Sequence, residues 1–174
     1  MLIINLLLLG SIVFLVLVLS MVWPPDSPWA PWWKIDRKRA SAAGKLGKIH
    51  KNDVVYELGS GDGEFLLQIA KEYKAKGVGI EIDPLRYWQS KLRAKLHKAS
   101  SLTFIKQNYN TIALHEATVV FVYLVPRALE RLKPKLLKEL SPTTRIISYR
   151  YKMDLPLLTQ DKKNQLYVYT IAKK

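Results

Sequence analysis

Residues 53–63 read DVVYELGSGDG: an apolar strand pattern leads through Glu57 into Gly59, Gly61 and Gly63 on alternate positions, with a helical pattern directly behind them. Glycines so spaced let a strand turn sharply into a helix while the backbone comes close to a ligand, because no Cβ blocks the approach. The natural occupant of such a turn is a nucleotide-like cofactor. The dinucleotide fingerprint wants a glycine or alanine three positions after its second glycine, where helix and strand pack closely, and here Glu64 stands there. That disfavours NAD.

The alternate-glycine form, with an acid two residues ahead of the first glycine, resembles motif I of the class I methyltransferases, which bind S-adenosylmethionine. A second match lies in register downstream. Residues 77–83, GVGIEID, read as another buried strand ending in an acid, and Glu81 stands 22 residues after Gly59. An acid about 20 residues on meets ribose hydroxyls in related α/β folds.

The elements that must position these residues follow from periodicity. Ile35, Ala42, Leu46 and Ile49 form one helical stripe over residues 35–50, weakened by Gly44 and Gly47. The first strand covers about 53–58, and the helix behind it carries Phe65, Leu66, Ile69, Ala70 and Tyr73 inward. A second strand spans about 77–82. Asp83 then reads as an N-cap with Pro84 at the first helical position, and Leu85, Trp88, Leu92 and Leu96 form the expected buried stripe of that helix. Residues 102–106 and 117–124 read as the third and fourth strands, the latter apolar throughout, as a strand covered on both faces should be. Pro126 opens a helix with Leu129, Leu132, Leu136, Leu137 and Leu140 inward, which Pro134 should kink or interrupt. Residues 143–149 and 165–171 supply the last two strands. The segment between them is too short and polar for a crossover helix, so that pair is expected to be antiparallel. The pattern predicts an α/β fold, a doubly wound Rossmann-like sheet, mostly parallel, with ligands at the carboxyl ends of its strands.

The first 25 residues hold no charged side chain, and residues 2–22 are almost wholly Leu, Ile, Val, Phe and Met. About 20 such residues span a bilayer as a helix. A cleaved signal peptide lacks support, because neither a basic leading region nor a small-residue cleavage pattern is present. Trp23, Trp29, Trp32 and Trp33 follow, with Pro24, Pro25, Pro28 and Pro31; indole rings favour the headgroup zone and prolines stiffen an extended linker. The expected organisation is an anchor over 1–23, a juxtamembrane linker over 24–34 and a catalytic domain over 35–174. Lys34, Arg37, Lys38 and Arg39 lie just beyond the apolar segment. The positive-inside rule therefore puts the domain in the cytosol and the amino terminus outside.

The chain has 28 Lys and Arg against 14 acids, a formal charge of +14. Such a field draws a domain to anionic headgroups, nucleic acid or acidic protein surfaces without choosing among them. With no cysteine there is no disulfide framework and no thiolate metal site. His50, His97 and His115 are scattered singly, so no metal is indicated.

The resemblance narrows when the later elements are included. Residues 123–150, YLVPRALERLKPKLLKELSPTTRIISYR, together with ELGSGDG and the apolar amino terminus, resemble the protein lysine methyltransferases that modify the c subunit of mitochondrial ATP synthase, with their small bacterial and archaeal relatives. The likeness runs from the anchor to the last strand. It implies that S-adenosylmethionine lies against Glu57, Leu58, Gly59, Ser60, Gly61, Asp62 and Gly63, with the methionine part near Glu57 and the glycine backbone. It further implies that Glu81 holds the ribose hydroxyls, Ile82 and Asp83 flank the adenine, and Asn108, standing where the family shows an aspartate, reaches the adenine edge. Tyr123, Val125 and Pro126 would wall the slot for the acceptor lysine, with Tyr149 and Tyr151 as candidate partners and core packing as their alternative role. No general base is assigned. A membrane-embedded protein substrate such as an ATP synthase c subunit is implied by the likeness alone.

Rival activities differ in kind. A nucleic-acid base methyltransferase suits the charge, but enzymes acting on exocyclic base amines usually carry Asn or Asp, two prolines and an aromatic after the fourth strand, where this chain has Leu124, Val125 and Pro126. A lipid or quinone methyltransferase profits from an anchor but usually needs lid insertions. A cofactor-binding scaffold without activity is disfavoured by the intact glycines and Glu81.

Overall fold

The computed structural model describes residues 2–22 and 33–171. Among these residues there are seven strands: β1 (Val54–Leu58), β2 (Lys76–Glu81), β3 (Leu102–Lys106), β4 (Val119–Val122), β5 (Arg145–Tyr149), β6 (Leu157–Asp161) and β7 (Leu166–Tyr169). They make one sheet in the order β3-β2-β1-β4-β5-β7-β6. The first five are parallel, and β7 pairs antiparallel with both β5 and β6. The strand order reverses between β1 and β4, which opens a crevice at their carboxyl ends.

Side-chain alternation along the strands splits the core into two layers. Val55, Val119, Phe121 and Ile147 face α2 (Arg37–Leu46), α3 (Glu64–Tyr73) and α4 (Pro84–Leu96). There the rings of Phe65 and Phe121 stack with centroids 3.8 Å apart. Tyr56, Leu58, Val120, Val122 and Ile146 face α5 (Pro126–Glu139). At the opposite end of the sheet from the crevice, Asp53 accepts hydrogen bonds from the Thr118 hydroxyl (2.7 Å) and the His50 N–H (2.9 Å) and pairs with Arg145. Arg145 also donates to the carbonyls of Gly47 and Lys48, so one latch joins the end of α2 to β1 and β5.

Five expectations need correction. Leu85, Trp88, Leu92 and Leu96 do not point inward but are 39, 62, 58 and 71 % exposed. The buried face of α4 is Arg86, Ser90 and Ala94 instead, because this helix crosses close to Gly63, where a Cβ would stand 3.2 Å from that of Ser90. Bulky leucines would not fit that approach. The stripe expected over 35–50 also differs: Ile35 and Ile49 are buried but flank α2, while Ala40, Ala43 and Gly44 form its inner face. A Cβ on Gly44 would meet the Tyr73 ring at 2.6 Å, so small residues set the contact with α3.

Pro134 does not interrupt α5, which runs unbroken for 14 residues. Its position is exposed, where water can hydrate the carbonyl that a proline cannot satisfy. Leu137 likewise faces out, 45 % exposed. Residues 157–161, which the sequence presents only as a polar connection, form β6 and complete a hairpin with β7.

At the amino terminus, α1 (Leu2–Val22) is an uninterrupted 21-residue helix, long and apolar enough to cross a membrane. Trp23, Trp29, Trp32 and the linker prolines, with the boundary expected at residue 23, lie outside the described residues.

Candidate active site

The motif I loop leaves β1 at Leu58 and turns on three residues of positive φ: Gly59 (81°), Gly61 (53°) and Gly63 (75°). Side chains rarely adopt that conformation. Two of these glycines serve different ends. At Gly63 a Cβ would lie 2.8 Å from the Phe104 ring, so the residue is small because β3 and α4 crowd it. Gly59 is exposed, and a Cβ there would meet only Leu124, at 3.5 Å. Its open side faces the crevice, and Leu124 brings the end of β4 against the loop.

Glu81 closes β2 and is buried rather than solvated. Its carboxylate accepts from the Gly61 N–H at 2.7 Å and the Asp83 N–H at 2.9 Å, joining the glycine loop to the start of α4. Burial raises its pKa, against the lowering effect of those two bonds. Each carboxylate oxygen retains a second lone pair for a hydroxyl. Asp83 is buried and caps α4 through the Arg86 N–H at 2.9 Å, as expected; Arg86 beneath it feels the charges of both Asp83 and Glu81. Ile82 is half-buried between the two acids.

Glu57 is the odd member. It sits 6 % exposed at the carboxyl end of β1, and its Oε2 has no hydrogen-bond partner. Burial drives its pKa well above the usual carboxylate range, and the neighbouring charges of Asp62 and Glu81 push in the same direction. The Ser60 hydroxyl is similarly buried and unpartnered. An orphaned carboxyl at the mouth of a crevice needs a cationic or hydrogen-bond-donating ligand. The ammonium and sulfonium of S-adenosylmethionine meet that demand.

Asp62 occupies the loop differently. It pairs with Lys34 at 2.7 Å and Arg93 at 2.8 Å, while Glu64 pairs with Arg93 and, at 2.9 Å, with Arg37. These acids fasten the loop to α4 and to the chain entering the domain. Burial acts to raise the Glu64 pKa, but hydrogen bonds from Arg93 and Arg37 outweigh it and the value is lowered.

Asn108 stands exposed beyond β3, its Oδ1 accepting from the Asn110 N–H at 2.9 Å. The end of β4 carries Tyr123, half-buried, followed by Val125 and Pro126 at the start of α5. The Tyr123 ring lies 4.4 Å from that of Tyr149, and its hydroxyl accepts from Arg150 at 3.4 Å. Arg150 has a positive φ of 71° and carries its guanidinium within 5.9 Å of the Trp33 and Tyr151 rings. The structure thus gathers Glu57–Gly63, Glu81–Asp83 and Tyr123–Pro126 at one rim, with Asn108 at its edge. Sequence reasoning missed the Lys34, Arg37 and Arg93 partners of Asp62 and Glu64, and it missed Arg150. Glu64 was the available signal: an acid buried at the start of a helix calls for cations nearby.

Residues 57–156 match the model of the ANTKMT methyltransferase domain, more than half of the chain. The chain belongs to this family. A protein-lysine N-methyltransferase of Saccharolobus islandicus is 32 % identical over 128 residues, covering 72 % of this chain and 80 % of that protein. An ATP synthase c-subunit lysine N-methyltransferase of Xenopus laevis is 29 % identical over 102 residues, 58 % of this chain, which spans only 45 % of that relative. Among solved structures, an RNA methyltransferase of Salinibacter ruber in complex with S-adenosylhomocysteine superposes with a TM-score of 0.78 at 32 % identity, covering 82 % of this chain and 95 % of that one. Members of this family are methyltransferases, and S-adenosylmethionine is the methyl donor of this chain.

Proposed function

We propose that this chain is a membrane-anchored protein-lysine N-methyltransferase, with α1 in the bilayer and the domain on the cytosolic side. The observation that carries the reading is the open rim itself. Glu57, buried and with one oxygen unpartnered, adjoins a loop whose Gly59 faces Leu124, the residue that leads into Val125 and Pro126. Among the described residues no extra helix is inserted between the strands to cover this rim, which suits a side chain protruding from a larger partner. The Saccharolobus and Xenopus relatives act on protein lysines by name, which supports the same choice. An ATP synthase c subunit is the membrane substrate that the frog relative suggests.

In this reading Glu57 takes the ammonium and the positive field of the donor, and the Gly59 and Gly61 backbone lies along its methionine part, flanked by Leu58 and Ser60. Glu81 receives the ribose hydroxyls, Ile82 and Asp83 border the adenine, and Asn108 meets its edge through amide N–H groups, since its Oδ1 is engaged. Asp62 acts through the loop it fastens rather than by touching the donor. When bound, S-adenosylmethionine supplies a methyl on a cationic sulfur, open to in-line attack by an amine. Tyr123, Val125 and Pro126 align the lysine Nζ and exclude water from it. A partly desolvated slot beside a positive charge lowers the lysine pKa, so alignment replaces base catalysis at the methyl.

Methylation of RNA is the second reading, favoured by the name of the Salinibacter structure and by the +14 charge. Incubation of the full chain with methyl-labelled donor and a total membrane fraction, followed by protease, nuclease and lipid extraction, separates the two. Label recovered as methyl-lysine is the expected outcome, and label in nucleotides or lipid would refute it.

A further inference from the structure

The outer face of α4 carries a row of exposed large apolar side chains. Leu85, Trp88, Leu92 and Leu96 follow one another at steps of three, four and four and are all exposed, so they form a continuous apolar ridge along a helix about 20 Å long. Single exposed leucines need no explanation, but an aligned row of four does. Basic side chains border the ridge on both sides. A groove of about 650 Å³ between α4 and β3 is lined by Lys91, Lys95 and Lys98, and a second, of about 530 Å³, runs between α4 and α3 past Lys71 and Lys74. The Lys91 ammonium lies 5.2 Å from the Trp88 ring centroid. Tryptophan, leucine and lysine in this arrangement match an interfacial helix: apolar side chains reach the acyl boundary while ammonium groups stay among anionic headgroups.

We infer that α4 is a second membrane contact, lying in the interface of an anionic bilayer with Leu85, Trp88, Leu92 and Leu96 buried among the lipids. The inference rests on the anchor reading above. The chain enters the domain beside this helix, since Lys34 pairs with Asp62 and Asp62 pairs in turn with Arg93 of α4. Residues 23–32 span at most about 35 Å at full extension, so the anchor holds α4 within reach of the same bilayer. The start of α4 lies at the rim, joined to the glycine loop through Glu81. Contact along this helix therefore fixes the orientation of the crevice relative to the membrane, which attachment at a single point does not do.

The absence of cysteine permits a direct test on the full chain. Leu92→Cys, Ile12→Cys and Glu130→Cys, each carrying a nitroxide label, are reconstituted in nanodiscs of phosphatidylcholine with about one-third phosphatidylglycerol. Collision with oxygen and with a water-soluble nickel chelate is then measured. Immersion of the labels at 12 and 92, with the label at 130 on α5 fully accessible to nickel, is the expected result. Immersion at 92 should fall severalfold in pure phosphatidylcholine or when Lys91 and Lys95 are both changed to Glu. An accessible label at 92 with an immersed one at 12 overturns this inference alone. Accessibility at both removes the anchor reading as well. Spin–spin broadening at 92 that persists in detergent without lipid would show that a second copy of the chain covers the ridge, and would also overturn it.

Discussion

Asp53, just ahead of β1, and Glu57, near its carboxyl end, stand four residues apart, both almost inaccessible to water, and they have opposite fates. Burial tends to raise the Asp53 pKa, but Thr118, the His50 N–H and Arg145 outweigh it, and the carboxyl is held below its ordinary value. Burial raises that of Glu57 with little opposition, and one of its oxygens has no partner. The contrast separates an acid whose partners come from the fold from one whose partner must arrive. At the closed end of the sheet a charged carboxylate is built into the architecture, whereas at the open end burial disfavours the charge and leaves a carboxyl oxygen without a partner.

Removing each acid tests that division most sharply. Asp53→Ala removes the carboxylate partner of Arg145 and the acceptor of the Thr118 hydroxyl and the His50 N–H, and should cost about 3–5 kcal/mol in thermal or denaturant unfolding. Glu57→Gln should leave stability unchanged or improved while weakening S-adenosylmethionine binding at least tenfold, about 1.4 kcal/mol, by calorimetry. A stable Asp53 variant, or a Glu57 variant with parental affinity, would erase the distinction.

The glycines divide the same way. Gly63→Ala combines a left-handed φ with a clash at Phe104 and should cost about 3 kcal/mol of stability. Gly59→Ala carries only the backbone penalty, about 1 kcal/mol, but should hinder the donor. Equal losses of stability would mean that the exposed glycine is as structural as the buried one.

The two acids also give opposite pH dependences. The folded pKa of Asp53 lies below 3.8, so its stabilisation is present above that unfolded value and is lost as pH falls through the folded one. For Glu57 the folded pKa lies above 4.5, so its contribution is present below the unfolded value and disappears as pH rises through the folded one. Glu57→Gln should therefore gain on the parent as pH rises from 4.5 toward neutrality, measured without donor. A difference that stays flat with pH would contradict the assignment. Smallest is Lys34→Ala, whose half-exposed ion pair with Asp62 should contribute below about 1 kcal/mol.

What could be read in advance followed the range of each signal. The glycine loop, the acid closing β2 and the cap of α4 are encoded by neighbours within a few positions, and all three stand where expected. The orientation of α4 was illegible because periodicity selects the most apolar stripe, whereas the inner face was chosen by crowding at Gly63, twenty-seven residues from Ser90 in the chain. Small residues at 90 and 94 were the faint sign of it. Glu64 served only to argue against one cofactor; it called for cations, but its partners Arg37 and Arg93 are distant in sequence, and nothing local says which they are. The β6 strand was hidden for another reason: an edge strand with exposed Leu157 and Leu158 lacks the burial pattern that marks its neighbours.

The carboxylate of Glu81 ties the glycine loop to the start of α4 through two backbone N–H groups before any nucleoside enters. Donor and spent product therefore meet a loop already hydrogen-bonded in place, so less ordering entropy is lost on arrival. Exchange of one for the other can then proceed by simple diffusion, without a folding step of the loop between turnovers.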